Sequence, residues 1–179
     1  SPGASGTSPM GRPSRRICPV LRITPTTTTL NCSENLASDK VRPISAGADG
    51  LLSVTPYYNK PTPEGLYQHY KAIADSTDLP IIVYNVPGRT GCNVDAPTLA
   101  TLATIPTIIG VKEASGNMSQ MADIIRAVPD DFLVLSGDDA VTVPLMAIGG
   151  RGIISVCSNQ IPREMADMVE AAERGDFAG

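Results

Sequence analysis

Lys112 closes the apolar run Ile108-Ile109-Gly110-Val111 and so places an ammonium group at the tip of what reads as a buried strand. Ionised lysine is rarely buried, because stripping its hydration is costly. Burial lowers its pKa and makes a neutral amine available nearer neutral pH. A neutral amine in a cleft condenses with a ketone to a Schiff base, and the imine then serves as an electron sink. Two plainer roles fit the same position: an ion pair with Glu113 or Asp138, or non-covalent binding of an anion. Tyr84 ends the preceding apolar run, Ile81-Ile82-Val83. It is either a proton relay or a core tyrosine with a satisfied hydroxyl. Arg89 lies five residues on, in Pro87-Gly88-Arg89-Thr90-Gly91. It suits bidentate recognition of a carboxylate and equally a solvated surface position. Asp138 and Asp139 have no histidine or third carboxylate beside them. They therefore read as a helix N-cap rather than metal ligands.

Other chemistries lack their parts. The single histidine, His69, falls in a helical stretch and reads as solvent-facing, so histidine triads and His-based zinc sites have no second member. Gly149-Gly150-Arg151-Gly152 resembles a phosphate cradle but precedes a strand, which assigns it to a tight turn on the face opposite the chemistry. Cys18, Cys32, Cys92 and Cys157 are too scattered for a zinc site and read as reduced thiols. A net charge of -4 and a pI near 4.9 argue against nucleic acid as a partner. The longest apolar runs fall well short of the ~20 residues of a membrane-spanning helix.

Those side chains need strands to carry them, and the chain beyond residue 46 supplies a repeating pattern. Strands are predicted at 51–55, 81–84, 108–112, 132–136 and 153–156. Helices are predicted at 65–75, 97–103, 118–128, 141–148 and 163–172. The strands are near-continuous apolar runs, as in a parallel sheet buried on both faces. Their alternation with helices implies right-handed βαβ units. This is an α/β pattern. It matches the last five units of a (β/α)8 TIM barrel, with an open doubly wound sheet as the alternative. No G-x-G-x-x-G follows a strand, which weighs against dinucleotide binding. In such folds chemistry collects at the C-terminal strand ends. Those ends carry Thr55, Tyr57, Tyr58 and Asn59; Tyr84, Asn85 and Arg89; Lys112, Glu113 and Ser115; Ser136, Gly137, Asp138 and Asp139; and Ser158 and Asn159.

Residues 1–45 are a different material. They contain no aromatic residue, and the first fifty residues carry six Lys/Arg against three Asp/Glu where the rest carries eight against fifteen. No periodicity of 3.6 or 2.0 is sustained there. The segment reads as a disordered tail, a transit peptide, or sequence foreign to the domain that follows, such as a shifted reading frame would produce. The domain organisation expected is therefore 1–45 as this segment and 46–179 as a partial TIM barrel.

Four segments together resemble the 4-hydroxy-tetrahydrodipicolinate synthase family: Val54-Thr55-Pro56-Tyr57-Tyr58-Asn59-Lys60-Pro61, Tyr84-Asn85-Val86-Pro87-Gly88-Arg89-Thr90-Gly91, Gly110-Val111-Lys112-Glu113-Ala114-Ser115 and Ser136-Gly137-Asp138-Asp139, with 23 residues separating Arg89 from Lys112. The resemblance runs from about residue 46 to 179. It implies a class I aldolase-type lyase in which Lys112 forms a Schiff base with pyruvate and the enamine adds to L-aspartate 4-semialdehyde, in lysine biosynthesis through diaminopimelate. It implies that Tyr84 relays protons, that Arg89 binds the semialdehyde carboxylate, that Tyr58 is lent across a dimer interface, and that Gly137 and Ile154 line the pyruvate pocket. It further implies a cytoplasmic homotetramer needing no metal and no organic cofactor. The family's Gly-Thr-Thr-Gly-Glu motif has no counterpart in this sequence. The alternatives are a sibling Schiff-base lyase, such as N-acetylneuraminate lyase or a keto-deoxy sugar-acid aldolase, and an inactive fragment of the synthase.

Overall fold

The computed structural model describes residues 48–177, so the expected segment at 1–45 lies outside the described residues. Four parallel strands form one sheet: β1 (Leu51–Val54), β2 (Ile81–Asn85), β3 (Ile108–Glu113) and β4 (Leu133–Ser136). They lie side by side in chain order, β1-β2-β3-β4. A doubly wound sheet reverses its strand order at a switch point. The unreversed order here is that of an arc of a (β/α)8 barrel.

Helices connect the strands. After β1 comes α1 (Pro63–Ala74); after β2 come α2 (Pro87–Thr90) and α3 (Ala96–Leu102); after β3 comes α4 (Met118–Ala127); after β4 come α5 (Thr142–Ala147) and α6 (Pro162–Glu173). Local chemistry sets their starts. Thr62, Asp95 and Asn117 each accept a hydrogen bond from an amide three residues on, leaving fewer orphan donors in the first turn. Pro63 and Pro162 open α1 and α6, where a missing N–H costs nothing.

The strands divide the molecule into two sides. Leu51, Ile81, Val83, Ile108, Val111 and Val134 point into one core with Leu66 and Tyr70 of α1, Leu99 and Leu102 of α3, Met121 and Ile124 of α4, and Leu145 of α5. Tyr70 is fully buried and its hydroxyl donates to the Ser53 carbonyl at 3.0 Å. The alternate residues face the other way; Val54, Tyr84 and Leu135 among them are half-buried, while Ile82 and Lys112 are buried. That second side is the inner wall of the barrel arc.

The predicted elements are present within two residues at either end, with one exception. The strand expected at 153–156 is reduced to a single bridge between Ile153 and Ser136. Beyond Ile154 the backbone turns into a 3-10 helix at Cys157–Asn159, so the extended ladder cannot continue. The short helix α2 was not anticipated either. It starts at Pro87 and ends on Gly91, whose φ of 64° suits a residue without a Cβ.

β3 and β4 approach unusually closely at Gly110. A Cβ built there would lie 2.6 Å from the Leu133 carbonyl oxygen and 2.8 Å from Leu133 Cβ. Gly110→Ala is expected to cost about 1–3 kcal/mol by overpacking against backbone that cannot move aside. A urea unfolding curve checks this, and an unchanged midpoint would mean the strands are not so tightly apposed.

Candidate active site

The site begins with register. Between β2 and β3 the pairing shifts by one residue: Ile81 sits opposite Ile108, but Ile82 sits opposite Gly110. In-step pairing would set Tyr84 beside Val111 and Asn85 beside Lys112. The irregularity instead pairs Tyr84 with Lys112 and Asn85 with Glu113. Because side chains alternate across a sheet, this single step decides which residues share a face. Tyr84 and Lys112 thereby come together on the inner wall.

Lys112 is only 9% exposed. Its Nζ lies 4.3 Å from the centroid of the Tyr84 ring, which shields one side of the amine from water. Gly137 supplies the other wall. A Cβ at Gly137 would lie 3.0 Å from Lys112 Cε and 3.1 Å from its Cγ, so only glycine lets the lysine stem lie against the β4 exit. Burial pushes the Lys112 amine below the ordinary lysine range, the Arg89 charge pushes it further down, and the carboxylate of Asp139 opposes both. Among the described residues no carboxylate forms an ion pair with Lys112. Glu113 and Asp138, the two plainer partners, are occupied elsewhere. Glu113 is fully buried on the opposite side of β3, where it accepts from Asn85 Nδ2 and from the Ser115 amide, both at 2.8 Å. Asp138 caps the 3-10 helix at Asp139–Val141 by accepting from the Ala140 amide.

Arg89 stands exposed on α2, near enough for its charge to act on the amine. Gly137 donates its amide to the Glu113 carbonyl at 2.8 Å, and Ile154 donates its amide to the Ser136 carbonyl at 2.9 Å, so both are tied to the exits flanking Lys112. The fold brings Lys112, Tyr84 and Gly137 into contact, sets Arg89 near enough for its charge to act on the amine, and ties Ile154 to Ser136 at the neighbouring exit. It does not bring in Tyr58, which is 95% exposed on the loop after β1.

Three other readings meet the structure. His69 is not solvent-facing: it is half-buried, its ring packs edge-on against Tyr70, its Nε2 is enclosed without a partner, and burial lowers its pKa. The glycine run at 149–152 is the tight turn expected. Gly149 and Gly152 have φ of 123° and 135°, and a Cβ on Gly150 would strike Leu145 at 2.6 Å. Cys92 and Cys157 are free thiols, and no group of three or more His, Cys, Asp or Glu among the described residues could hold a metal ion.

Two supports were missed from sequence. The buried pair Asn85 and Glu113 forms a network on the far side of the sheet. Asn85 Nδ2 also donates to Asn93 Oδ1 at 3.0 Å, and its Oδ1 accepts from the Val94 amide at 3.0 Å. Asn93 and Gln120 exchange amide hydrogen bonds in turn. The second is Asp139, whose carboxylate accepts from Ser155 Oγ and from the amides of Val156 and Cys157. These donors hold the Asp139 carboxyl below the usual carboxylate range, the Ser155 bond contributing most. An acidic residue directly after a capping aspartate was the only sequence signal for it.

The sequence matches the dihydrodipicolinate synthetase family over residues 31–179. That span begins ahead of residue 46, where the resemblance was expected to start. The 4-hydroxy-tetrahydrodipicolinate synthase of Koribacter versatilis is 54% identical over 144 residues, which are 79% of this chain and 48% of that protein. The synthase of Syntrophus aciditrophicus is 59% identical over 132 residues, 74% of this chain and 45% of that protein. Among solved structures, dihydrodipicolinate synthase from Acinetobacter baumannii complexed with pyruvate superposes with a TM-score of 0.72 at 48% identity, covering 74% of this chain and 46% of that one. This chain spans about half the length of the curated relatives it matches.

The lowered pKa of Lys112 has a direct readout. Burial and Arg89 disfavour its ammonium form, so its neutral amine appears at lower pH than that of an open lysine. Lys71, raised by its hydrogen bond and ion pair with Asp75, is the internal contrast. Competitive acetylation with peptide mapping should place the half-maximal labelling pH of Lys112 below that of Lys71. The reverse order would contradict the desolvated environment.

Proposed function

This chain belongs to the dihydrodipicolinate synthetase family, and we propose that it performs the 4-hydroxy-tetrahydrodipicolinate synthase reaction, condensing pyruvate with L-aspartate 4-semialdehyde through a Schiff base on Lys112. One observation carries the proposal: an amine with no carboxylate partner among the described residues, sheltered by the Tyr84 ring and Gly137 at the exit of a buried strand. The names of the relatives favour the synthase over sibling Schiff-base lyases, and the pyruvate complex of the similar Acinetobacter baumannii enzyme supports a keto-acid pocket.

The chemistry follows from that amine. Neutral Nζ of Lys112 attacks the ketone carbon of pyruvate, and the carbinolamine loses water to give the imine. The protonated imine acidifies the adjacent methyl group; loss of a proton gives the enamine. Its carbon attacks the aldehyde carbon of the semialdehyde, forming a C–C bond while the aldehyde oxygen takes up a proton. The substrate's amino group then adds to the imine carbon and closes the ring, and the C–N bond to Lys112 breaks, returning the free amine. Tyr84 is the proton carrier closest to these steps, its ring being in contact with Nζ. Arg89, exposed on α2, receives the carboxylate of the semialdehyde. Gly137 and Ile154 line the pyruvate side with backbone groups.

The proposal extends to assembly. Tyr58 makes no contact with the Lys112 cleft and projects 95% into solvent, which supports its being lent to a neighbouring subunit's site. The assembly would be a homotetramer built as a dimer of dimers, acting in the cytoplasm in diaminopimelate and lysine biosynthesis. No helix among the described residues is long and apolar enough to cross a membrane.

The test is reductive trapping. The intact chain incubated with pyruvate and borohydride should yield a stable adduct that maps to Lys112, and Lys112→Ala should yield none. Arg89→Ala should leave pyruvate trapping within about twofold while semialdehyde consumption falls about 10–100-fold, the worth of a charged hydrogen-bonding group. An unmodified Lys112, or equal loss of both activities in the arginine variant, would count against the assignment.

A further inference from the structure

The sheet stops holding the chain just where the proposed pocket needs it held. The last ladder bond on this side is the Ile154 amide to the Ser136 carbonyl, at 2.9 Å. From Ser155 onward the backbone leaves the sheet, and Ser155, Val156 and Cys157 make no ladder bond. The chain is caught instead by a side chain from the neighbouring exit. Asp139 accepts a short hydrogen bond from Ser155 Oγ on one carboxylate oxygen, and the amides of Val156 and Cys157, each at 3.3 Å, on the other. Ser155 Oγ in turn accepts from the Ser158 amide at 2.9 Å, which extends the hold by a further turn. Asp139 is itself anchored, because Asp138 caps the same 3-10 helix and the Ser136 hydroxyl donates to the Asp138 carbonyl at 2.6 Å.

We infer that Asp139 is a positioning residue: its carboxylate clamps the turn at residues 155–157 onto the exit of β4 and thereby fixes the Ile154 backbone at the edge of the Lys112 cleft. This rests on the reading of Lys112 as a pyruvate-binding Schiff-base lysine. The arrangement solves a second problem. A carboxylate facing an active amine would ordinarily hold it as an ammonium ion. Here a hydroxyl and two backbone amides donate to the oxygens and favour the ionised form of Asp139 without Lys112 as an ion-pair partner. The charge acts on the lysine from a distance, against burial and Arg89, while the lone pairs serve the turn.

The experiment has two arms, both on the full chain. Without substrate, hydrogen–deuterium exchange should speed up about tenfold or more at the Val156 and Cys157 amides in Asp139→Ala, as expected when a charged acceptor is removed. Ser155→Ala, which removes one donor and keeps the charge, should give a smaller increase at the same amides and guards against loss of folding in the first variant. With pyruvate and borohydride, the pyruvate concentration for half-maximal trapping should rise about tenfold in Asp139→Ala, with the maximal trapping rate held within about twofold. Unchanged exchange overturns the clamp. Faster exchange with unchanged half-saturation overturns the positioning role and leaves a purely structural one. Absence of any adduct in the unsubstituted protein overturns the Schiff-base reading and the positioning claim with it, whereas a normal adduct beside either of the preceding results overturns the claim about Asp139 alone.

Discussion

A single amine kept from water sets the demands on everything around it. For the proposed reaction Lys112 must be dry enough to lose its proton readily, yet it carries a group that prefers water by a wide margin. The protein meets this by crowding rather than by pairing. The Tyr84 ring covers one side, the bare backbone of Gly137 admits the lysine stem on another, and the positive charge of Arg89 adds repulsion. An ion pair would have held the lysine more simply, but it would have fixed the charged form.

Three acidic residues near the site, Glu113, Asp138 and Asp139, are engaged elsewhere. Glu113, adjacent in sequence, points to the opposite side of β3 and is bound by Asn85 and the Ser115 amide. Asp138 spends its carboxylate on a cap, and Asp139 on the turn at residues 155–157. Glu113 and Asn85 also act on the site from behind. Their bond at 2.8 Å joins β2 to β3 one residue beyond the Tyr84–Lys112 pair. Through Asn93 and Gln120 this buried pair is extended to the surface, and each member has partners, the condition under which polar networks rigidify rather than weaken a core.

The same chain serves as scaffold and site because its strands have two different faces. The helix-facing residues are uniformly apolar up to the strand exits and build the core. Several inner-wall residues, Val54, Tyr84 and Leu135 among them, are only half-buried, and the wall becomes polar only at the exits. Gly110 and Gly137 mark where that design is tightest, one admitting a neighbouring strand and the other the Lys112 stem.

Much of this was legible in the residues. Apolar runs and their spacing indicated the strands and helices of the arc, and placed Lys112, Tyr84 and Arg89 at or just beyond strand exits. The periodicity failed where a longer-range contact overruled it. Ile153 and Ile154 begin like a strand, but Asp139, from the previous unit, pulls the following residues into a turn. His69 read as solvent-facing because a helix pattern does not reveal which neighbours close over its surface. Sequence alone therefore determined which elements form the arc and which polar residues stand at their exits, since those depend on local composition and period. Only the tertiary structure decided that Tyr84 faces Lys112 rather than Val111, that Glu113 turns away, and that Asp139 reaches the turn after Ile154. Each of these follows from register or contact between separate strand exits, and alternating side chains make a one-residue step in pairing exchange the faces of a sheet.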